Sequence, residues 1–400
     1  MGTVWPPIAY EAQTWSSDGA RGPRPDRMFH EYSSAVPPQI AALPLTLDSI
    51  AATACEAATA SMARLDAEGA RELSGFTGAL LRSESVASSK IEHLETTSTA
   101  LGVAQLQAKR RDAPGQVARN VDAMLRALQV AESYAPFSVN DVLSIHLVLM
   151  RNDPHDGDSA GRVRTEQNWI GGSDLTPRDA LFVPPSPTRV AALLADLADF
   201  ADRDDIPAFP QALIVHAQFE TIHPFNDGNG RTGRALIHAI LRRRRLVRHV
   251  AVPLSAALLT DTSAYFDALD AYRRGDLDTY LIHAARATDR AAIAAHDLGN
   301  ELAAIRLRWE ETVRPRRGST SAALLELVRV KPVIDIATIA SALPVDDSNL
   351  YRALDHLVNV GVLHEITGDR RNRIWAAPEL LDAVDSFNAR LARRRTIPAV

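Results

Sequence analysis

His223-Pro224-Phe225-Asn226-Asp227-Gly228-Asn229-Gly230-Arg231-Thr232-Gly233-Arg234 is the stretch on which the reading of this chain turns. Three glycines free its backbone to approach an anion closely. A strongly helical run, Ala235 to Arg245, follows them. Backbone N–H groups at the start of such a helix point at an anion, and the helix dipole adds to the attraction. Arg231 and Arg234 stand three apart, on one helix face, where two guanidinium forks can hold a polyphosphate. Asp227 offers a hard carboxylate oxygen for Mg2+ beside those phosphates. His223 is the group nearby that titrates near neutrality, which makes it the candidate general base. Phe225 is the candidate anchor of the loop to the core. Each residue taken singly fits an ordinary helix-capping loop with surface arginines, but the combination does not.

Outward from this loop the pattern is mostly helical. Upstream lie helical stretches from Leu47 to Ala135, Asp141 to Met150, Arg189 to Arg203 and Pro210 to Ile222, and downstream more helices run to about Glu311. Residues 1 to about 45 are rich in Pro, Gly and Ser and read as a strap with one short strand pair. Between Arg162 and Val183, aromatic and β-branched residues flank Gly171 and Gly172, which predicts a β-hairpin. The chain has 400 residues, 46% hydrophobic and 23% charged, with a formal net charge of -5. That balance is ordinary for a globular protein and argues against a wholesale nucleic-acid coat. Cys55 is the sole cysteine, so no intrachain disulfide forms. No apolar run approaches the roughly 20 residues a membrane helix needs, and the N-terminus lacks the features of a signal peptide. No membrane partner and a cytoplasmic location are therefore expected.

The quoted loop matches H-x-F-x-[DE]-G-N-G-R-x-x-R at every specified position. On that match the chain resembles the Fic family, over about residues 30 to 300. It differs from the Doc variant, a kinase in which Lys replaces the second glycine of Gly228-Asn229-Gly230. The resemblance implies transfer of AMP from ATP, with Mg2+, to a hydroxyl of a target protein (Ser, Thr or Tyr). In that scheme His223 deprotonates the hydroxyl and Asp227 holds the metal. Gly228, Asn229 and Gly230 line an anion hole, within a nucleotide-binding stretch that continues through Thr232 and Gly233. Arg231 grips the phosphates and Arg234 the γ-phosphate. Gln218, a little over one turn upstream of His223, is a further nucleotide contact. Phe266, in Tyr265-Phe266, supplies a stacking face for adenine where relatives often have paired tyrosines. The predicted hairpin resembles the Fic flap, with Trp169 and Ile170 facing the target or the flap's own base.

Upstream, Ser88 and Glu92 are spaced i, i+4 on one predicted helix face and resemble the Fic inhibitory motif [ST]-x-x-x-E-[GN]. Glu92 would then pair with Arg234 and occupy the γ-phosphate place, or orient a water that removes AMP from the modified target. The alternative is a weak surface pair with a neighbour such as Lys90. His93 departs from the motif, which has Gly or Asn there.

Past Val313 to Gly318, a linker by composition, the order becomes helix, turn, helix and two short strands, as in a winged helix-turn-helix. Its second helix exposes Asn349, Tyr351, Arg352, Asp355, His356 and Asn359, and its wing carries Arg370, Arg371 and Arg373. These charges leave DNA binding and a protein-contact or packing role equally open. The run Arg242 to Arg245 reads as a solvated helix face and the tail Arg393 to Arg395 as disordered. The expected fold is mainly α: a Fic-type helical core with a β-hairpin flap, plus a C-terminal winged helix-turn-helix domain. Residues 1–135 form the strap and helical region with the inhibitory helix, 136–312 the catalytic core, and 313–400 the linker, winged helix and tail. A homodimer is the further partner considered. A nucleotide-sensing DNA-binding regulator and transfer of another nucleotide such as UMP are the rival functions, and an intact His223 and Asp227 favour an enzyme.

Overall fold

The structure, a computed structural model, describes residues 5–16, 22–69, 75–107, 109–133, 135–344, 346–367 and 372–393. It is mainly helical, as the sequence pattern predicts. In chain order the elements begin β1 (Ala9–Thr14), α1 (Arg24–Arg27), β2 (Glu31–Val36), α2 (Ser49–Gly69), α3 (Gly75–Ile91), α4 (Ser98–Gln105), α5 (Ala113–Ala131) and α6 (Val139–Met150). Then come α7 (Pro187–Ala201), α8 (Ala208–Ile222), α9 (Asn229–Arg243), α10 (Leu254–Leu258), α11 (Thr262–Arg273) and α12 (Leu277–Val313). The chain ends with α13 (Thr320–Val330), β3 (Val333–Asp335), α14 (Ile336–Ala342), α15 (Asp347–Asn359), β4 (His364–Glu365), β5 (Ile374–Ala376) and α16 (Pro378–Arg393). Among the described residues no helix is long and apolar enough to cross a membrane. The residues fall into two compact units, and neither is one continuous segment.

The first unit comprises residues 1–56, 125–246 and 263–285. Its centre is α8, which is buried from Phe209 to Ile222, as expected of a helix apolar on nearly every face. α7 and α9 pack on it, and α6 packs on α9. The start of α6 is fixed by Asp141, whose carboxylate accepts from the Ser138 N–H and Oγ at 2.9 and 2.8 Å. The expected strap with a strand pair is present: β1 and β2 pair antiparallel from Ala9↔Val36 to Thr14↔Glu31. It is tied down by polar contacts. The Asp196 carboxylate accepts from the N–H groups of Ile40 and Ala41, and Arg203 donates to the Leu43 carbonyl at 2.6 Å.

Two expectations are corrected in this unit. The segment from Arg162 to Val183 is not a regular hairpin. It has a single bridge, Ile170↔Phe182, and otherwise bends. Gly171, Gly172 and Asp179 all take positive φ, so the backbone leaves the extended region soon after the bridge. Nor is Arg242–Arg245 a solvated face. Arg243 donates to Ser133 and Ala135 carbonyls and pairs with Asp202. Arg244 donates to the carbonyls of Arg203, Asp204 and Ile206 and to the Gln211 side chain. Only the last of the four, Arg245, is exposed. A helix C-terminus has carbonyls to satisfy and attracts cations, and here the guanidinium groups also bind the loop carbonyls beside it.

The second unit comprises residues 57–124, 247–262 and 286–400. α3 packs against α10, α13 and α16. Its buried polar groups are satisfied: Glu84 accepts from the Ser255 N–H and Oγ at 2.8 and 2.5 Å, and Ser83 Oγ donates to Asn388 at 2.6 Å. α3 ends at Ile91, so Ser88 is a buried helical residue while Glu92 is an exposed turn residue one position beyond. His93 takes φ 61, a left-handed conformation in which Gly or Asn costs least. Lys90 pairs with Glu95 at 3.4 Å.

From α13 onward, α13, α14, α15, β4 and β5 stand where the sequence places helices and short strands, whereas β3 and α16 were not read from it. β5 lies between β3 and β4 in an antiparallel sheet, with Ile334 and Glu365 both opposite Trp375. Leu350, Leu354 and Leu357 of α15 are buried and its predicted polar residues are exposed. Of the wing arginines, Arg370 and Arg371 lie outside the described residues, as do Arg394 and Arg395 of the tail. Arg373 is engaged within the module. It pairs with Glu365 at 2.5 Å and lies over the Trp375 ring.

Candidate active site

α8 stops at His223, which takes the left-handed conformation (φ 50, ψ 61) and turns the chain into the loop. A histidine bears a Cβ, so this backbone needs outside support. Arg164 supplies it. This buried side chain donates to the His223 carbonyl at 2.9 Å, to Glu166 O at 3.1 Å and to Pro185 O at 2.5 Å, while its own N–H donates to Pro224 O. Burial lowers the Arg164 pKa to about 10.

Inside the loop, Asn229 folds back on Phe225. Its side-chain oxygen accepts from the Phe225 N–H at 2.9 Å and its amide donates to the Phe225 carbonyl at 2.8 Å. Asn168 donates to the same carbonyl at 2.9 Å. The Phe225 ring is fully buried against Phe219 and His146, so it anchors the loop as expected. Gly228 caps α9 with φ 75. A Cβ there would stand 3.0 Å from Met150 Sδ and 3.1 Å from Leu149, so the loop backbone rests directly on α6. Gly228 therefore serves both positive φ and close approach.

Asp227 has a side chain 53% exposed, with Oδ2 3.1 Å from an Arg231 nitrogen. Its charge, after burial, is a cause of the raised Asp156 pKa, and Asp153 adds to it. Arg231 is buried, and its Nε finds no acceptor among the described residues. Arg234 is buried one turn further along α9. The loop thus gathers His223, Asp227, Arg231 and the first N–H groups of α9 over one short stretch.

Of the other sequence candidates, Gln218, Phe266, Trp169 and Ile170 lie outside the loop, while Thr232 and Gly233 lie in the first turns of α9. Gln218 is fully buried and its amide is committed, donating to Pro38 O at 2.9 Å and accepting from Tyr272 Oη at 2.8 Å. Thr232 is buried. At Gly233 a Cβ would stand 2.5 Å from Glu220 Oε1 and 3.0 Å from His216 Nδ1, so this glycine lets α8 and α9 approach. Phe266 is half-exposed on α11 beside buried Tyr265, their rings 5.2 Å apart. Tyr265 Oη lies 2.8 Å from His216 Nε2. Trp169 packs edge-on against Trp15 and donates to the Ser173 carbonyl at 2.7 Å, while Ile170 forms the bridge to Phe182. The residues missed from sequence are His146, Arg164, Asn168 and His216. A buried histidine in each of two apolar helices, α6 and α8, was the available signal.

His146 Nε2 lies 3.0 Å from the Asp227 carbonyl, and the Gly161 N–H donates to His146 Nδ1 at 3.0 Å. Burial, with a smaller contribution from the Arg231 charge, lowers its pKa to about 4, so it is neutral at ordinary pH.

Residues 136–241 match the Fic/DOC family. The protein adenylyltransferase fic-1 of Caenorhabditis elegans is 30% identical over 173 residues, 42% of this chain and 30% of that protein. The protein adenylyltransferase Fic of Nematostella vectensis is 29% identical over 184 residues, 44% of this chain and 38% of that protein. The chain therefore spans well under half the length of these relatives. Among solved structures, a Fic family protein from Desulfovibrio desulfuricans superposes with a TM-score of 0.52 at 20% identity, covering 84% of this chain and 97% of that one. That likeness bears on the fold alone.

Proposed function

Because residues 136–241 of this chain match the Fic/DOC family, we propose that it is a protein adenylyltransferase, moving AMP from ATP to a Ser, Thr or Tyr hydroxyl of a target protein. The observation that carries the reading is the loop itself. A histidine held in a left-handed turn, a half-exposed carboxylate and a helix N-terminus flanked by arginine lie within 12 residues. The similarity to proteins named as adenylyltransferases supports it.

In this reading His223 takes the proton of the target hydroxyl as its oxygen bonds to the α-phosphorus. The bond from that phosphorus to the β-phosphate oxygen breaks, and pyrophosphate leaves. The N–H groups of Gly228, Asn229 and Gly230 and the Arg231 and Arg234 guanidinium groups bind and orient the phosphates. Asp227 would hold Mg2+, whose charge when bound offsets that of the phosphates. A single accessible carboxylate suits this ion, which is usually held by one or two carboxylates together with substrate phosphates. The buried Arg231 Nε, without an acceptor among the described residues, suits an anion-binding site. Glu92 restrains the transfer as an inhibitory residue, and removal of AMP from the target is a further capacity of the same site.

The test is incubation of the full chain with ATP, Mg2+ and candidate target proteins, followed by mass spectrometry for an added AMP. His223→Ala should bind ATP and transfer none. Labelling by that variant at the parental rate would refute the assignment of the base.

A further inference from the structure

The loop's own side chains leave one demand unmet: something must hold the peptide that carries the metal-binding carboxylate. We propose that His146 is a positioning residue that sets the place of the Asp227 carboxylate by holding the Asp227 backbone carbonyl. This rests on the adenylyltransferase reading for its consequence, but its geometry stands independently.

His146 lies on α6, 81 residues before Asp227, and is 1% exposed. A carbonyl oxygen can only accept, so the contact at 3.0 Å puts the proton on Nε2. Nδ1 is then bare, and the Gly161 N–H fills it at 3.0 Å. Both ring nitrogens are satisfied and one tautomer is fixed. The ring also lies flat on Phe225, with centroids 3.6 Å apart and planes within 1°. The imidazole thus touches the loop at Phe225 and Asp227 and is held from behind by Gly161.

The held carbonyl belongs to the peptide joining Asp227 to Gly228. That peptide fixes two things at once: the direction of the Asp227 side chain and the Gly228 N–H at the start of α9. Gly228 has φ 75, a region open to glycine in several conformations, so the residue itself does not enforce this peptide orientation. The Asp227 side chain is largely solvated apart from Arg231, so its direction is set from the backbone. Without the imidazole donor, the peptide can rotate and carry the carboxylate away from the metal.

The test uses the full chain and two variants. His146→Phe keeps a ring on Phe225 and removes both hydrogen bonds. His146→Gln restores an N–H donor toward the carbonyl. Calorimetry measures ATP affinity with Mg2+ and again in EDTA, and unfolding temperatures check that each variant is folded. His146→Phe should lose on the order of tenfold or more in affinity with Mg2+, as groups supporting a metal ligand typically do. In EDTA its affinity should fall less, by about fivefold or under, because only the Gly228 N–H contact to the phosphates is then weakened. His146→Gln should recover most of the loss. Where AMP transfer is measurable, the fall should appear in KM for Mg2+-ATP before kcat. A folded His146→Phe with unchanged Mg2+-ATP affinity, or with equal losses in Mg2+ and EDTA, overturns the proposal. So does a folded His146→Gln that recovers nothing. A parent that binds Mg2+-ATP but modifies no protein removes the adenylyltransferase reading alone; one that binds none removes both.

Discussion

Acidification should loosen the packing of α8 on α9 through a single imidazole. His216 is fully buried on α8, with Nε2 2.8 Å from Tyr265 Oη. Burial first, and the Arg234 charge second, lower its pKa from 6.5 to about 3. The folded state therefore resists a proton that the unfolded chain accepts. Above the unfolded value the two states hold the same number of protons and His216 contributes no pH dependence. As pH falls from 6.5 toward 3, the unfolded state binds more protons and stability is lost. Between about pH 8 and about pH 5 the unfolded imidazole gains roughly one and a half decades of protonation free energy, or about 2 kcal/mol, and the folded one almost none. That is about a 30-fold change in the opening equilibrium. Native-state hydrogen exchange of α8 and α9 amides, corrected for intrinsic rates, reads it directly. His216→Gln keeps a polar group toward Tyr265 and cannot titrate. Its own stability will differ, but its slope with pH should be shallower than the parent's by that amount. Equal slopes in parent and variant would show that His216 is not held neutral by the fold.

Three other outcomes are expected. Asp227→Ala should weaken Mg2+-ATP binding by on the order of tenfold, measured by calorimetry, and equal transfer in EDTA would count against the carboxylate as metal holder. Glu92→Gly should raise AMP transfer, including onto the chain itself, whereas Arg234→Ala and the double variant should be inactive; unchanged self-labelling in Glu92→Gly would remove the inhibitory reading. Arg244→Ala should cost about 2–4 kcal/mol in urea unfolding, because it strands the carbonyls of Arg203 and Ile206 and the Gln211 side chain, while exposed Arg245→Ala should stay within about 0.5 kcal/mol.

The candidate loop was legible because its residue types are contiguous. A base, a carboxylate, three glycines and two arginines in 12 residues constrain one another before any fold is known. The α8 and α9 helices were legible for a similar reason, since their helical runs and the glycine-rich loop between them are local. Less was legible where a residue's surroundings depend on which neighbour the fold brings. Gln218 was read as a nucleotide contact from its distance to His223, and the partners its amide has, Pro38 and Tyr272, could not be read from that distance. Gly233 looked like part of an anion loop, yet it faces Glu220 and His216. Arg242–Arg245 looked like a solvated charge run, because a sequence shows charges but not the loop carbonyls that bind them.

Three of the four residues missed share one property: they hold backbone carbonyls of the loop or beside it. Arg164 holds the carbonyls of His223, Glu166 and Pro185, Asn168 holds that of Phe225, and His146 holds that of Asp227. Every residue but proline offers the same donor and acceptor along its main chain, so such a bond leaves no complementary residue type to find. The signal available was negative. Arg164 and His146 are polar groups in stretches that fold into the interior, and a polar group there must be satisfied by something. A loop built of glycines is the part of a site least able to hold its own shape, since its backbone has the most conformations to lose. The chemistry of this loop is therefore written at 223–234, while its rigidity is supplied from α6 and from the segment after Gly161. A search for what fixes such a loop should begin with buried polar side chains outside it, and here these include Arg164 and His146.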